Sequence, residues 1–280
     1  MRRRFSSETV VDLMAYIFII VLLIAVLFPF LWIIISSVKT TAQLNAARSM
    51  FWPNPFTLEN YNELMKKTDF LAWFRNSMVV AVVTTFTAVV VGSITAFALT
   101  RLRFLGQTFL ASIVLIIYLV PPTVLFIPLF RVVNMLGLKD SLAALFLTYP
   151  TQTVPFMAWM LMGFFRSIPK ELDEAALIDG ASKFGFFWRI LLPLSAPGII
   201  AAALFAVSRS WDEFIFALVM IGTGSKKTLP IGISEMLSQD TWFWGGIMAA
   251  AVITTIPIVI FYIYLHRYMV EGLTAGAVKG

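Results

Sequence analysis

Residues 13–38, LMAYIFIIVLLIAVLFPFLWIIISSV, run without a single charged side chain. A hydrocarbon core about 30 Å thick takes roughly 20 apolar helical residues to cross. The stretch is therefore read as a membrane span. It should be helical, because backbone groups in lipid must bond within the segment, and a barrel strand would be half as long and alternating. Arg2, Arg3 and Arg4 precede it in the manner of a signal peptide, but the run is too long for one and no small-residue cleavage site closes it. A retained first span is expected. Outward from it, comparable stretches recur, and the expected spans are 12–38, 76–100, 109–133, 142–165, 198–221 and 243–266. Trp32, Trp52, Trp73, Trp242 and Trp244 fall near their ends, where amphipathic rings favour the interface.

Composition points the same way. The 280 residues are 60% hydrophobic and 13% charged, with a mean hydropathy of +0.89; an ordinary soluble domain carries about 25% charged residues. The fold class is thus all-α and polytopic. There is no cysteine, hence no disulfide, thiolate site or cysteine nucleophile. His266 is the one histidine and cannot build a multi-histidine metal site. The net charge of +6 is spread over inter-span loops rather than gathered in one patch, which argues against nucleic acid. Basic residues are divided almost evenly between the two sides. The arginine triplet beside the first span tips the N-terminus, and with six spans the C-terminus, to the cytoplasm.

Two soluble stretches remain. Residues 39–75 form an external loop containing Pro53 and Pro55. Residues 166–197 form an internal loop too long for a simple link. Within it Ser167 can cap a helix, Pro169 suits the first turn, and Glu171, Asp173 and Glu174 complement the N-terminal dipole. Leu172, Ala175, Ala176 and Asp179 share one side. Gly180 is placed to end the helix in a left-handed turn. Ser182 then caps a second short helix through Trp188 and Leu191, stopped by Pro193. Residue physics alone leaves two readings: a hairpin resting on lipid headgroups, or a docking element for another protein.

The spacing Glu174-Ala175-Ala176, Gly180, Ile190, Leu192-Pro193, placed before the last two spans, resembles the EAA loop of bacterial ABC-importer permeases. Residues 53–55, 57–61 and 75–77 are similar to the segment before the second span in maltose-type sugar permeases. The ending 271–280 is similar to the tail of their MalG-like subunit. The resemblance implies a type I ABC-importer permease fold in a bacterial or archaeal plasma membrane, multi-pass, with the loop and tail 267–280 cytoplasmic. It implies that Glu174, Ala175, Ala176, Asp179, Gly180, Ile190, Leu192 and Pro193 form coupling helices against an ATPase, with Gly276 and Lys279 in an ATPase-contacting tail. The implied partners are a second related permease in a heterodimer, two ATPase subunits carrying ATP and Mg, and an extracytoplasmic solute-binding protein. The solute would be a sugar or oligosaccharide, with a glycerol-phosphate-like solute as alternative.

The fifth expected span holds Arg209, Trp211, Asp212 and Glu213, and the fourth holds Tyr149 and Gln152. Charges at membrane depth cost at least about 2.5 kcal/mol each, so they face a cavity or one another. Arg209 can reach Asp212 or Glu213 along the helix. Either this is a packing ion pair or the six residues line a solute path. Relatives usually carry asparagine where Asp212 stands, and Arg209 lies outside the common pattern. No Gly-x-x-x-x-Gly-Lys-Ser/Thr loop is present; residues 222–228 have the wrong spacing. The chain is therefore expected to bind no nucleotide or other cofactor and to be no enzyme. An ion-coupled secondary transporter, favoured only by the Arg209 cluster, is the further alternative.

Overall fold

The computed structural model describes residues 7–46, 51–238 and 243–277. Helix α1 (Ser7–Ser37) carries the opening apolar run, and residues 11–31 are exposed throughout, as suits a helix whose solvent is lipid. Two short helices follow, α2 (Thr41–Leu44), closed by a Thr40–Gln43 capping box, and α3 (Glu59–Lys67). The long α4 (Phe70–Arg101) comes next, then α5 (Gln107–Leu119) and α6 (Pro122–Met135). The expected span 109–133 is thus a broken pair, bent by 98°. Its cause is local. Pro122 lacks an N–H, and the residues before each proline of the pair are pushed out of the helical region, Val120 to φ −67°, ψ 122° and Pro121 to φ −60°, ψ 135°.

Helices α7 (Leu142–Thr148) and α8 (Pro150–Ser167) are joined through Tyr149, itself helical at φ −63°, ψ −38°. After α9 (Glu171–Ile178), α10 (Lys183–Phe186) runs through a π turn at Phe187–Leu191 into α11 (Leu192–Leu194). Then come α12 (Ala196–Trp211), α13 (Ile215–Met220), α14 (Leu229–Leu237) and α15 (Trp244–Ala277). Among the described residues three helices can each cross a membrane alone, Val11–Ser37, Phe70–Arg101 and Trp244–Leu265, and two bent pairs would supply one span each. The expected span 198–221 is interrupted after Trp211. The Glu213 carboxylate accepts from the amides of Phe216 (2.9 Å) and Ala217 (3.2 Å), so it satisfies the free donors of a new helix, α13.

The chain divides into two compact units. One comprises residues 1–68 and 236–255. In it buried Asn60 donates to the carbonyls of Ser37 (2.8 Å) and Lys39 (2.7 Å), and Ser37 Oγ meets Tyr61 Oη at 2.8 Å. Gly245 lies so close to Asn60 that a Cβ would fall 2.0 Å from its Oδ1. The other, residues 69–235 and 256–280, holds α4 to α13 and most of α14. Its core is a seam of α4, α8 and α12. Ala88, Ala96 and Phe97 meet Met157, Leu161 and Phe165, with Ala202 and Ala206 closing over them. A second core gathers Val80, Leu145, Tyr149, Phe216 and Met220.

Candidate functional site

The corner beyond α8 is built by backbone chemistry first. Acidic Glu171, Asp173 and Glu174 occupy the first turn of α9, and Gly180 closes it at φ +81°. The Gly180 amide donates to Leu177 O (3.1 Å) and the Ala181 amide to Ala176 O (2.9 Å), the paired bonds of a Schellman ending. Ser182 Oγ accepts from the Gly185 amide at 3.0 Å and so caps α10. Two details differ from the sequence reading. Ser167 donates to Phe164 O instead of capping α9. Pro193 does not stop the second helix, because it sits in the first turn of α11, where a missing N–H costs little; the 78° bend comes at Ser195.

Of the motif residues, Ala176 is buried, Ile190 and Leu192 are half-buried, and Glu174, Ala175, Asp179, Gly180 and Pro193 are exposed. Phe186, Phe187 and Leu191 sink into the seam core. Ile178 (86% exposed), Phe184 (60%), Trp188 (49%) and Leu177 (48%) do not. An apolar face is thus left open on a short rigid element.

Arg101, at the end of α4, ties that element down. Its guanidinium donates to Phe165 O and Ile168 O, at the end of α8, and to Asp173 Oδ2 (3.0 Å). Its side chain is only 4% exposed. Burial raises the Asp173 carboxyl above its ordinary range despite the pull of Arg101. The sequence marks Arg101 only as a basic residue at a span end; three acceptors arriving from two other helices leave no local signal.

A second cluster lies where α8 and α12 face each other. Arg209 donates to Gln152 Oε1 at 3.0 Å, across helices rather than along its own to Asp212 or Glu213. A cavity of about 330 Å³ opens beside the pair, lined by Tyr118, Val120, Pro122, Gln152, Phe205 and Arg209. Aromatic rings continue behind it: Phe156 stacks on Phe205 at 3.7 Å, and Tyr118 lies 5.3 Å from Phe156. Tyr149 and Glu213 join Gln152 and Arg209 around a narrow adjoining crevice. Trp211 is buried and turned edge-on to Phe74 at 5.8 Å, a packing position. Asp212 is exposed and outside the lining. Gly276 falls one residue from the end of α15, and Lys279 lies outside the described residues.

Residues 222–228, set aside above as a phosphate-loop mimic, form a pinned loop. Asp140, at φ +57°, accepts from the amides of Gly222 (2.9 Å) and Thr223 (2.8 Å), the Thr223 hydroxyl (2.5 Å) and Lys226 Nζ (3.1 Å). The Thr223 hydroxyl above all, then these amides and Lys226, hold the carboxyl far below its usual range. From α4, Trp73 Nε1 donates to Gly224 O and Asn76 Nδ2 to the carbonyls of Ser225 and Lys227, each at 2.9 Å.

Comparison with known proteins supplies the context. The family model for the binding-protein-dependent transport system inner membrane component matches residues 88–274. An inner membrane ABC transporter permease protein, YcjP of Escherichia coli, is 36% identical over 260 residues, covering 92% of this chain and 93% of that protein. The trehalose/maltose transport system permease protein MalG of Thermococcus litoralis is 36% identical over 264 residues, covering 93% and 94%. Among solved structures, a bacterial ABC transporter involved in import of the acidic polysaccharide alginate aligns with a TM-score of 0.79 at 20% identity, covering 96% of this chain and 99% of that one; that likeness speaks to the fold alone. The family indicated by residues 174–193 is the family matched.

Proposed function

The chain belongs to the family of inner membrane components of binding-protein-dependent transport systems, and from that premise we propose that it forms half of the translocation path of an ATP-driven sugar or oligosaccharide importer. The sugar follows from relatives such as the trehalose/maltose permease. The observation that carries the coupling role is the corner itself. Helix α9 ends in a fixed left-handed turn and presents Leu177, Ile178, Phe184 and Trp188 to the outside. An open apolar face on a clamped lever suits a cleft in an ATPase subunit. A headgroup-resting hairpin would not need its first turn paired to a guanidinium on α4 that is itself anchored on the end of α8.

In this reading the corner and tail are cytoplasmic, with both termini on that side. Two ATPase subunits seat the corners of this chain and of a related second permease. Their closure on ATP is carried through Arg101 into α4 and through Leu191 and Phe187 into the seam. The chain itself catalyses nothing; ATP and Mg act on the partners. A solute-binding protein delivers the sugar from the opposite face, and Arg209, Gln152, Tyr149 and Glu213 border its path.

The test is a mild-detergent pull-down of the tagged chain from its native membrane, with mass spectrometry of what accompanies it. An ATPase, a second permease and a solute-binding protein are the expected companions. Recovery of the chain alone under several detergents would instead favour a gradient-driven transporter.

A further inference from the structure

Around Arg209 hydrogen-bond donors outnumber acceptors. A guanidinium carries five N–H donors and a permanent charge, and at membrane depth that charge is expensive unless compensated. Here its hydrogen bond goes to a neutral group, Gln152 Oε1. Among the described residues no Asp or Glu oxygen lies within 4.0 Å of it. Both oxygens of Glu213 are engaged by backbone amides of α13; Asp212 attracts the guanidinium from a distance but does not line the cavity. Gln152 Nε2, on the residue that accepts from Arg209 and lines the same cavity, is buried without a partner. Buried polar atoms are normally satisfied, so an orphaned amide beside a guanidinium whose hydrogen-bond partner is neutral points to a ligand.

We infer that this cavity is a subsite for an acidic group on the transported solute, a carboxylate, sulfonate or phosphate, bound by Arg209 and Gln152; the inference deepens the sugar reading above and rests on it. A planar guanidinium meets such a group through two parallel hydrogen bonds. Tyr118 and Phe205 offer flat apolar faces to the ring that bears it, and a volume of about 330 Å³ admits one ring-sized unit. A saccharide with hydroxyls alone would leave the guanidinium without a charged hydrogen-bond partner.

The complete importer, with its binding protein, is reconstituted in proteoliposomes and given three probes: digalacturonate, maltose and glycerol 3-phosphate. ATP-dependent uptake of digalacturonate over maltose is expected. Arg209→Gln should lower digalacturonate uptake roughly tenfold or more, the scale of one lost charge-assisted contact. Arg209→Lys should recover part of it. Preference for maltose, or an equal loss for every probe in Arg209→Gln, would overturn the acidic subsite. So would an Arg209→Gln chain that no longer co-purifies with its second permease, since Arg209 would then pair between subunits. Uptake of glycerol 3-phosphate alone, lowered by Arg209→Gln, would keep the acidic subsite and overturn the sugar. No uptake of any probe by an assembly that hydrolyses ATP would overturn both.

Discussion

The middle of α4 and its end are held by different physics. Along the seam the helix is fixed by volume. Gly92 approaches α8 so closely that a Cβ would lie 2.4 Å from Met157 Cγ and 3.3 Å from the Ala158 amide nitrogen, and Ala88 and Ala96 continue the narrow stripe. In lipid there is no hydrophobic drive between helices, so close approach of small residues does the packing. At its end, α4 is fixed by direction: one guanidinium joins the last carbonyls of α8 to the first turn of α9. Shape tolerates no added atom but is indifferent to charge. A directed clamp tolerates neither loss of charge nor loss of geometry, and it can transmit a push. On the proposed coupling role, the chain thus holds a static contact and a transmitting one on a single helix.

The largest effect should come from breaking the first. Gly92→Leu forces the two helices apart and should cost about 3 kcal/mol, the upper range for overpacking. It is read as a lower melting temperature in detergent, and Met157→Ala on the other side should restore part of it. A melting temperature unchanged by Gly92→Leu would mean the seam is not set by volume. Arg101→Ala should come next, at about 2 kcal/mol, because it strips donors from buried carbonyls. Its distinguishing readout is functional: less solute carried per ATP hydrolysed. Arg101→Lys should recover little, since an ammonium lacks the fork that spans three acceptors. Asp173→Asn should matter least at the clamp, because burial already disfavours that carboxylate.

How legible each part was follows the same division. The long apolar helices α1 and α4 and the α9–α10 turn are readable because hydropathy, caps and Gly180 act within a few residues of themselves, whereas the expected spans 109–133 and 198–221 are broken. The family spacing fell in the same local register. Arg101 has no local signal beyond its charge at a span end, since its acceptors come from residues 165–173 and no local pattern names them. On an unbroken helix Arg209 could reach Asp212 or Glu213, one of its two readings, yet the chain leaves the helix at Asp212 and Glu213 turns to cap α13. A cross-helix acceptor then won. Residues 222–228 show only a wrong phosphate-loop spacing in the sequence, because their hydrogen-bond partners Asp140, Trp73 and Asn76 lie far along the chain.

Turning the corner's geometry against it gives a smaller, sharper effect. No atom lies within 4 Å of a Cβ built on Gly180, so a substitution there meets only backbone strain, about 1–2 kcal/mol for an ordinary residue at positive φ. Gly180→Asn should be mild and Gly180→Val worse. Gly180→Pro also removes the amide that donates to Leu177 O and should uncouple ATP hydrolysis from uptake while the spans remain folded by circular dichroism. Normal uptake in Gly180→Pro would show that the corner is no lever.

The smallest effect belongs to Asp140, which clamps by direction as Arg101 does but out in an exposed loop. Its carboxyl is held low in the folded chain. The stabilisation it lends is therefore fully present above the ordinary carboxylate value of about 3.9 and fades only as pH falls through the lower native one. Between pH 8 and 5 the Gly222 and Thr223 amides should stay protected from hydrogen exchange once intrinsic rates are divided out. Asp140→Asn removes the charge while keeping a residue that accepts positive φ. At pH 7 it should speed exchange of those two amides and leave the melting temperature of the seam where it was. A drop in that melting temperature would mean the loop clasp and the packed seam are one cooperative structure, and the separation between held and transmitting contacts would have to be redrawn with the loop on the side of the core.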